Sequence, residues 1–234
     1  MTVIIDIDHE AGNLNEWDSL TDTTSALSAS ASAALAGSNY GMACNINDTT
    51  SFYALASVSD NTSGVVRIRF YFDPNSITMV NGQNHFLGVL RSASNIATFK
   101  IEWTSSNGYA IQAQLVGDGV TLSTEYHPIT DEPHYIEVRL VRASSSVAAD
   151  GTLDLWIDGV HKEQLVGDNY DQFNLFRQLR LGGTSGIDGG TSGTYYFDEI
   201  VVNDDGSEIG AVGGGSGGTA VPVFVHHMRQ QGMA

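Results

Sequence analysis

Apolar and polar residues alternate along most of this chain, and that period limits what it can fold into. Val65-Val-Arg-Ile-Arg-Phe-Tyr-Phe72 sets Ile68, Phe70 and Phe72 on one side and Arg67, Arg69 and Tyr71 on the other. A period of two is that of a strand, because successive Cβ atoms point to opposite faces of a sheet. Phe99-Lys-Ile-Glu-Trp103 repeats the pattern, with Phe99, Ile101 and Trp103 inward and Lys100 and Glu102 opposite. The next two runs agree: one buries Ile136, Val138 and Leu140, the other Leu153, Leu155 and Ile157 against outward Asp154 and Trp156. Asn107-Gly108, Asp118-Gly119 and Asp158-Gly159 supply the residues that tight reversals require, and Asp158-Gly159 leads into a further strand over 160–166. Short strands punctuated by such turns make an all-β, two-sheet antiparallel sandwich. The Ser/Ala-rich stretch Thr23–Leu35 is expected as an edge or loop, and Phe173–Phe176 as a helical turn.

A chain of 234 residues fits one such domain plus a tail. It can bury roughly 70 % of its unfolded surface, so it needs neither a disulfide nor a metal merely to fold. The single cysteine, Cys44, lies in Gly41-Met-Ala-Cys-Asn-Ile46 and reads as a buried strand residue. Net charge is −17 with ten Lys plus Arg, which excludes nucleic acid and anionic membranes as partners, since both need a basic footprint. Met1-Thr-Val-Ile-Ile carries no basic start, and Asp6 interrupts it at once, so no signal peptide is expected. No apolar run is long enough for a membrane helix.

Composition changes after Gly210. Residues 211–220 form a Gly-rich linker, and 221–234 a short tail with Val221, Val223, Phe224, Val225, His226 and Met228 as docking residues. So short an apolar segment has no stable structure of its own and must find a surface, on its own domain, a sister subunit or another protein.

Acidic residues mark both ends of the domain. Asp6-Ile-Asp8-His-Glu10 opens it, and Asp198-Glu199 interrupts an apolar closing strand where carboxylates are poorly tolerated. Pairing of the first and last strands would bring the two clusters together. The segments Glu10-Ala-Gly12-Asn-Leu…Trp17, Leu153-Asp-Leu-Trp-Ile-Asp-Gly159 and Gly193-Thr-Tyr-Tyr-Phe-Asp198 resemble the concanavalin A-like (laminin-G-like) jelly-roll domains of bacterial surface and phage structural proteins. The resemblance runs from about Asp8 to Gly210. It implies a jelly-roll domain over 1–210 and a structural Ca2+ held by Glu10 and Asp198, with Asn13 as an extra ligand. Calcium wants about six to eight oxygens, so backbone or water would complete the shell. The alternative is that both carboxylates accept backbone hydrogen bonds without metal.

Arg67, Arg69, Tyr71, Arg139 and Trp156 fall together on the polar side of their strands and form a candidate carbohydrate-binding groove. The alternative is a solvated face whose charges pair across strands, each pair worth up to about 1 kcal/mol. Retaining glycoside hydrolases need two carboxyls about 5–5.5 Å apart. The nearest approach, Asp154-Leu-Trp-Ile-Asp158, spends Asp158 on a turn. His226-His227 would point to opposite faces of a strand, and no nucleophile elbow or phosphate loop is present. The expectation is therefore a non-catalytic structural module: a virion protein, made in the host cytoplasm and anchored by its tail to a capsid protein or sister subunit. The alternative is an extracellular or cell-surface lectin-like binder of glycans.

Overall fold

The computed structural model describes residues 2–213. Sixteen strands are present among them: β1 (Val3–Ile7), β2 (Ser19–Thr21), β3 (Leu27–Ser30), β4 (Gly41–Ile46), β5 (Tyr53–Asn61), β6 (Val65–Asp73), β7 (Gln83–Arg91) and β8 (Asn95–Thr104) in the first half. The second half adds β9 (Gly108–Val116), β10 (Thr121–Ser123), β11 (His127–Ile129), β12 (His134–Val141), β13 (Gly151–Ile157), β14 (Val160–Gly167), β15 (Phe176–Ser185) and β16 (Gly193–Asn203). The Ser/Ala stretch supplies edge strand β3 and a 3-10 turn over Ala31–Ala33.

The strands form two antiparallel sheets. The first runs β14-β13-β12-β6-β16-β4-β3 with β1 also on β16; the second runs β10-β9-β8-β7-β15-β5-β2 with β11 also on β9. Chain-adjacent β5 and β6 lie in different sheets, so the chain crosses the sandwich there. β1 pairs with β16, the pairing that would bring the acidic ends together, setting Asp6 opposite Val201 and Ile7 opposite Ile200.

The inward faces carry the alternating apolar sets. Ile68, Phe70 and Phe72 of β6 and Leu179 and Leu181 of β15 are fully buried. Phe70 touches Phe99 of the opposite sheet at 5.6 Å between ring centroids and Phe197 at 5.7 Å. Each such ring contributes about 1.5–3 kcal/mol by leaving water. The β13–β14 reversal shows why its dipeptide matters: Asp158 has φ 52° and Gly159 φ 75°, the left-handed pair of a two-residue hairpin.

Candidate functional site

The outward side of the first sheet is filled by the chain itself. Beyond β16 the backbone doubles back over it. The N–H groups of Ile209 and Gly210 donate to Glu137 at 3.0 and 3.1 Å, and that of Val212 donates to the Tyr71 hydroxyl at 3.0 Å. Arg67 donates to Glu137 and to the Gly206 carbonyl, and Arg69 to the carbonyls of Glu199 and Gly210. Arg67, Arg69 and Tyr71 are consequently buried. Burial, ahead of any charge, raises the Tyr71 phenol above its ordinary value. Trp156 carries the Arg67 guanidinium 4.4 Å above its ring, and Arg139 lies beneath Gly206 with Asp154 directly across the strand pair. The sequence grouped these five residues correctly on one face. The open groove expected there is corrected by the strap over 204–212, which alternation cannot reveal. The strap also reaches two residues past Gly210 into the stretch read as linker. The docking residues Val221, Val223, Phe224, Val225, His226 and Met228 lie outside the described residues.

At the domain ends, Asp198 is fully buried and its two oxygens are engaged. Oδ1 faces His9 Nδ1 and accepts from Glu199 N–H, while Oδ2 accepts from Leu35 N–H and the Ser38 hydroxyl. Trp17 Nε1–H donates to His9 Nε2 at 3.0 Å, which leaves Nδ1 to face Asp198. Glu10 accepts from Asn39 N–H at 2.6 Å and from the Asn39 amide, and these bonds lower its carboxyl below the usual range. Asn13 is engaged within its own turn with Ala11 and Asn15. Asp198, Glu10 and Asn13 thus serve three separate hydrogen-bond sets. Among the described residues no group of three or more His, Cys, Asp or Glu side chains could hold a metal ion.

The outward side of the second sheet is chemically different. β15 turns out Gln178 and Arg180, β7 Phe86, Val89 and Arg91, β8 Thr98, Lys100 and Glu102, and β9 Gln112 and Gln114, by the register that joins them. Directly across from Arg91 stands Gln178, and across from Lys100 stands Gln112. Amides cannot neutralise a cation. Among the described residues the Arg ion pairs are Arg67–Glu137, Arg69–Glu199 and Arg177–Asp60, so Arg91, Lys100 and Arg180 have no carboxylate partner. The Nε–H groups of Arg91 and Arg180 are buried without an acceptor. Burial first, and then the Arg91 charge, lowers Arg180 below its ordinary value, which places the two guanidiniums in each other's field. Tyr126, between β10 and β11, senses Glu102; burial first and that charge second push its phenol up to about 12.

Sequence reading turned Lys100 outward but set it with Arg67, Arg69 and Arg139 of the first sheet, and it missed Arg91, Arg180, Gln112, Gln114 and Gln178 as residues of this face. The signal was present in Phe176-Arg-Gln-Leu-Arg-Leu181 and Ile111-Gln-Ala-Gln-Leu115, where alternation turns the same side chains outward.

No family model and no curated protein matches the sequence. Solved structures do match in fold. An endo-β-1,4-glucuronan lyase from the fungus Trichoderma reesei superposes with a TM-score of 0.63 at 14% identity, over 86% of this chain and 95% of its own. Alginate lyase Aly36B gives 0.62 at 11% identity, over 87% and 97%. Alginate lyase vAL-1 from Chlorella virus gives 0.56 at 12% identity, over 86% and 99%. At such identities the likeness shows the fold, a jelly-roll-like sandwich over the whole domain. It also corrects the expectation of a non-catalytic virion module. The three structures named above, matched nearly end to end, are lyases, and they give no support to a capsid partner. The reason lies in the test applied to the sequence. A missing carboxylate pair argues against a hydrolase and says nothing about elimination.

Proposed function

We propose that this protein cleaves carboxylated polysaccharide by β-elimination on the outward face of the second sheet. The observation that carries the reading is the cross-strand pairing of its cations. In a chain of net charge −17, Arg91, Lys100 and Arg180 gather on one face, Arg91 opposite Gln178, Lys100 opposite Gln112, and Arg180 opposite Val89 and Leu55 with a hydrogen bond to Gln178, none of them opposite a carboxylate. Such a face offers charge-assisted hydrogen bonds to an incoming carboxylate, and Arg does so bidentately. Two of the matching structures are lyases of glucuronan and of alginate, which supports this substrate class.

Elimination asks for three things here. Cations must neutralise the uronate carboxylate, so that the proton on C5 becomes acidic; Arg91 and Arg180 are placed to do so. A base must take that proton as the C4–O4 bond breaks and a C4–C5 double bond forms; with Lys100 serving as a cation, Tyr53 and Glu102 are the groups on this face that can accept one. O4 must receive a proton. Tyr126, held protonated with its phenol at about 12, is at the rim to give one.

The test is incubation with glucuronan and alginate, following ultraviolet absorbance of the unsaturated chain end and product masses. Elimination adds no water, so product masses sum to that of the substrate. The expected result is unsaturated products from the wild type and a loss of about 10²-fold or more in kcat/KM for Arg91→Met/Arg180→Met. Hydrated products, or binding of these polymers without cleavage, would overturn the catalytic assignment.

A further inference from the structure

Two of the three cations are pinned over aromatic rings on either side of a side-chain-poor segment. From this we infer a single carboxylated-pyranose subsite framed by Tyr53–Arg180 and Phe86–Lys100; it rests on the function proposed above. The Arg180 guanidinium lies 4.7 Å above the Tyr53 ring and Lys100 Nζ 4.5 Å above the Phe86 ring. Tyr53 stands on β5 and Phe86 on β7, with β15 between them. Two strand spacings separate their backbones by about 9.6 Å.

The part of β15 that runs between the rings is a bulge. Its register on β7 moves from Leu181 opposite Gly88 to Ser185 opposite Phe86, leaving Gly182, Gly183 and Thr184 in the interval. A Cβ on Gly182, at φ 135°, would sit 2.7 Å from the Phe52 carbonyl oxygen, and one on Gly183 would sit 2.6 Å from Ile187. Gly182 cannot take a side chain, and one on Gly183 would press inward on the buried Ile187 and Phe52. The Thr184 hydroxyl is held down by a bond to the Phe86 carbonyl at 3.2 Å. The result is a glycine floor between two rings, each topped by a cation.

This arrangement suits one sugar ring. The apolar C–H side of a pyranose packs against aromatic carbon, and a carboxylate on the ring meets Arg180 and Lys100 above it. Because each cation already rests on a ring, little side-chain freedom remains to be lost on binding. Tyr53 and Phe86 read the sugar, and Arg180 and Lys100 read its charge.

The experiment measures affinity by calorimetry for a saturated glucuronic-acid tetrasaccharide and its carboxyl-reduced, neutral counterpart, using the full chain. Arg180→Met and Lys100→Met are each expected to weaken the acidic ligand about tenfold while leaving the neutral one unchanged. Phe86→Leu and Tyr53→Leu should weaken both ligands. Arg177→Met, which removes an exposed cation already paired with Asp60, should change neither. Melting temperature confirms that each variant is folded. If the acidic tetrasaccharide binds and the Met variants match the wild type, or lose both ligands equally, the subsite is wrong and the proposed function stands. If neither tetrasaccharide binds the wild type, the functional reading itself fails.

Discussion

His85 should make this protein lose stability in mild acid, by an amount the structure sets. The imidazole is 1 % exposed, is stacked on Tyr195 at 5.9 Å between centroids, and has no hydrogen-bond partner at either nitrogen among the described residues. Burial lowers its pKa from 6.5 to about 4, an effect the nearby Asp188 carboxylate only partly offsets. The unfolded chain therefore takes up a proton as pH falls through about 6.5, whereas the folded chain resists until about 4. Stability is full above the upper value and declines across the interval. The gap, at about 1.36 kcal/mol per pH unit, amounts to roughly 3 kcal/mol. Urea unfolding followed by tryptophan fluorescence at pH 7 and pH 4 measures the loss in the wild type. His85→Leu, similar in size and without polar atoms, supplies the reference. Carboxylates such as Glu10 add acid sensitivity of their own, but they do so in both proteins, and the difference isolates His85. The wild type should lose about 3 kcal/mol more than the variant. Equal losses would refute the reasoning, and would mean that something reaches those two nitrogens and holds the proton.

Glu137→Ala should destabilise the fold by about 3–5 kcal/mol, because it strands buried Arg67 and frees the Ile209 and Gly210 N–H groups; urea unfolding reads the loss, and limited proteolysis should newly cut near 206–212. Gly88→Ala should cost about 1–3 kcal/mol, since its Cβ would fall 2.6 Å from Leu181 and 3.1 Å from the Arg180 carbonyl oxygen; a melting temperature equal to wild type would show that β15 can shift freely. Calcium at Asp198 would have to displace Leu35 N–H and the Ser38 hydroxyl. Adding calcium or a chelator should therefore leave the melting curve unchanged, and a rise of several degrees with calcium would show that the ion wins.

Legibility in the sequence followed the range of the interactions. Alternation is local, so the inward sets of β6, β8, β12 and β13 could be read directly, and Asp158-Gly159 marked its hairpin. Pairing of β1 with β16 entered the sequence reading only as a condition for the acidic ends to meet; the pairing is present, and the carboxylates there are held by separate hydrogen bonds. The strap was not legible, because Glu137 meets Ile209 and Gly210 across more than seventy positions, and nothing local announces it. The bulge at Leu155/Trp156 and the bulge that opens β15 were likewise hidden, since each depends on the partner strand.

The two outward faces show why residue type on a strand does not assign a site. Both present arginines beside aromatic rings at alternating positions, and by composition the first sheet is the richer. What separates them is the residue across the strand. Arg69 faces Glu137 and Arg139 faces Asp154, so the first sheet opposes its charge with its own carboxylates and then covers the face with backbone. Arg91 faces Gln178 and Lys100 faces Gln112, so the second sheet orients its cations without neutralising them. An amide in place of an acid keeps the hydrogen-bond geometry and leaves the charge for an incoming anion. The high negative charge elsewhere fits this arrangement: at physiological salt its repulsion is screened within about 8 Å, while cations touching a bound carboxylate are not. On the proposed function, a polyanion would meet those three side chains, while the acidity of the remaining surface would limit non-specific binding elsewhere.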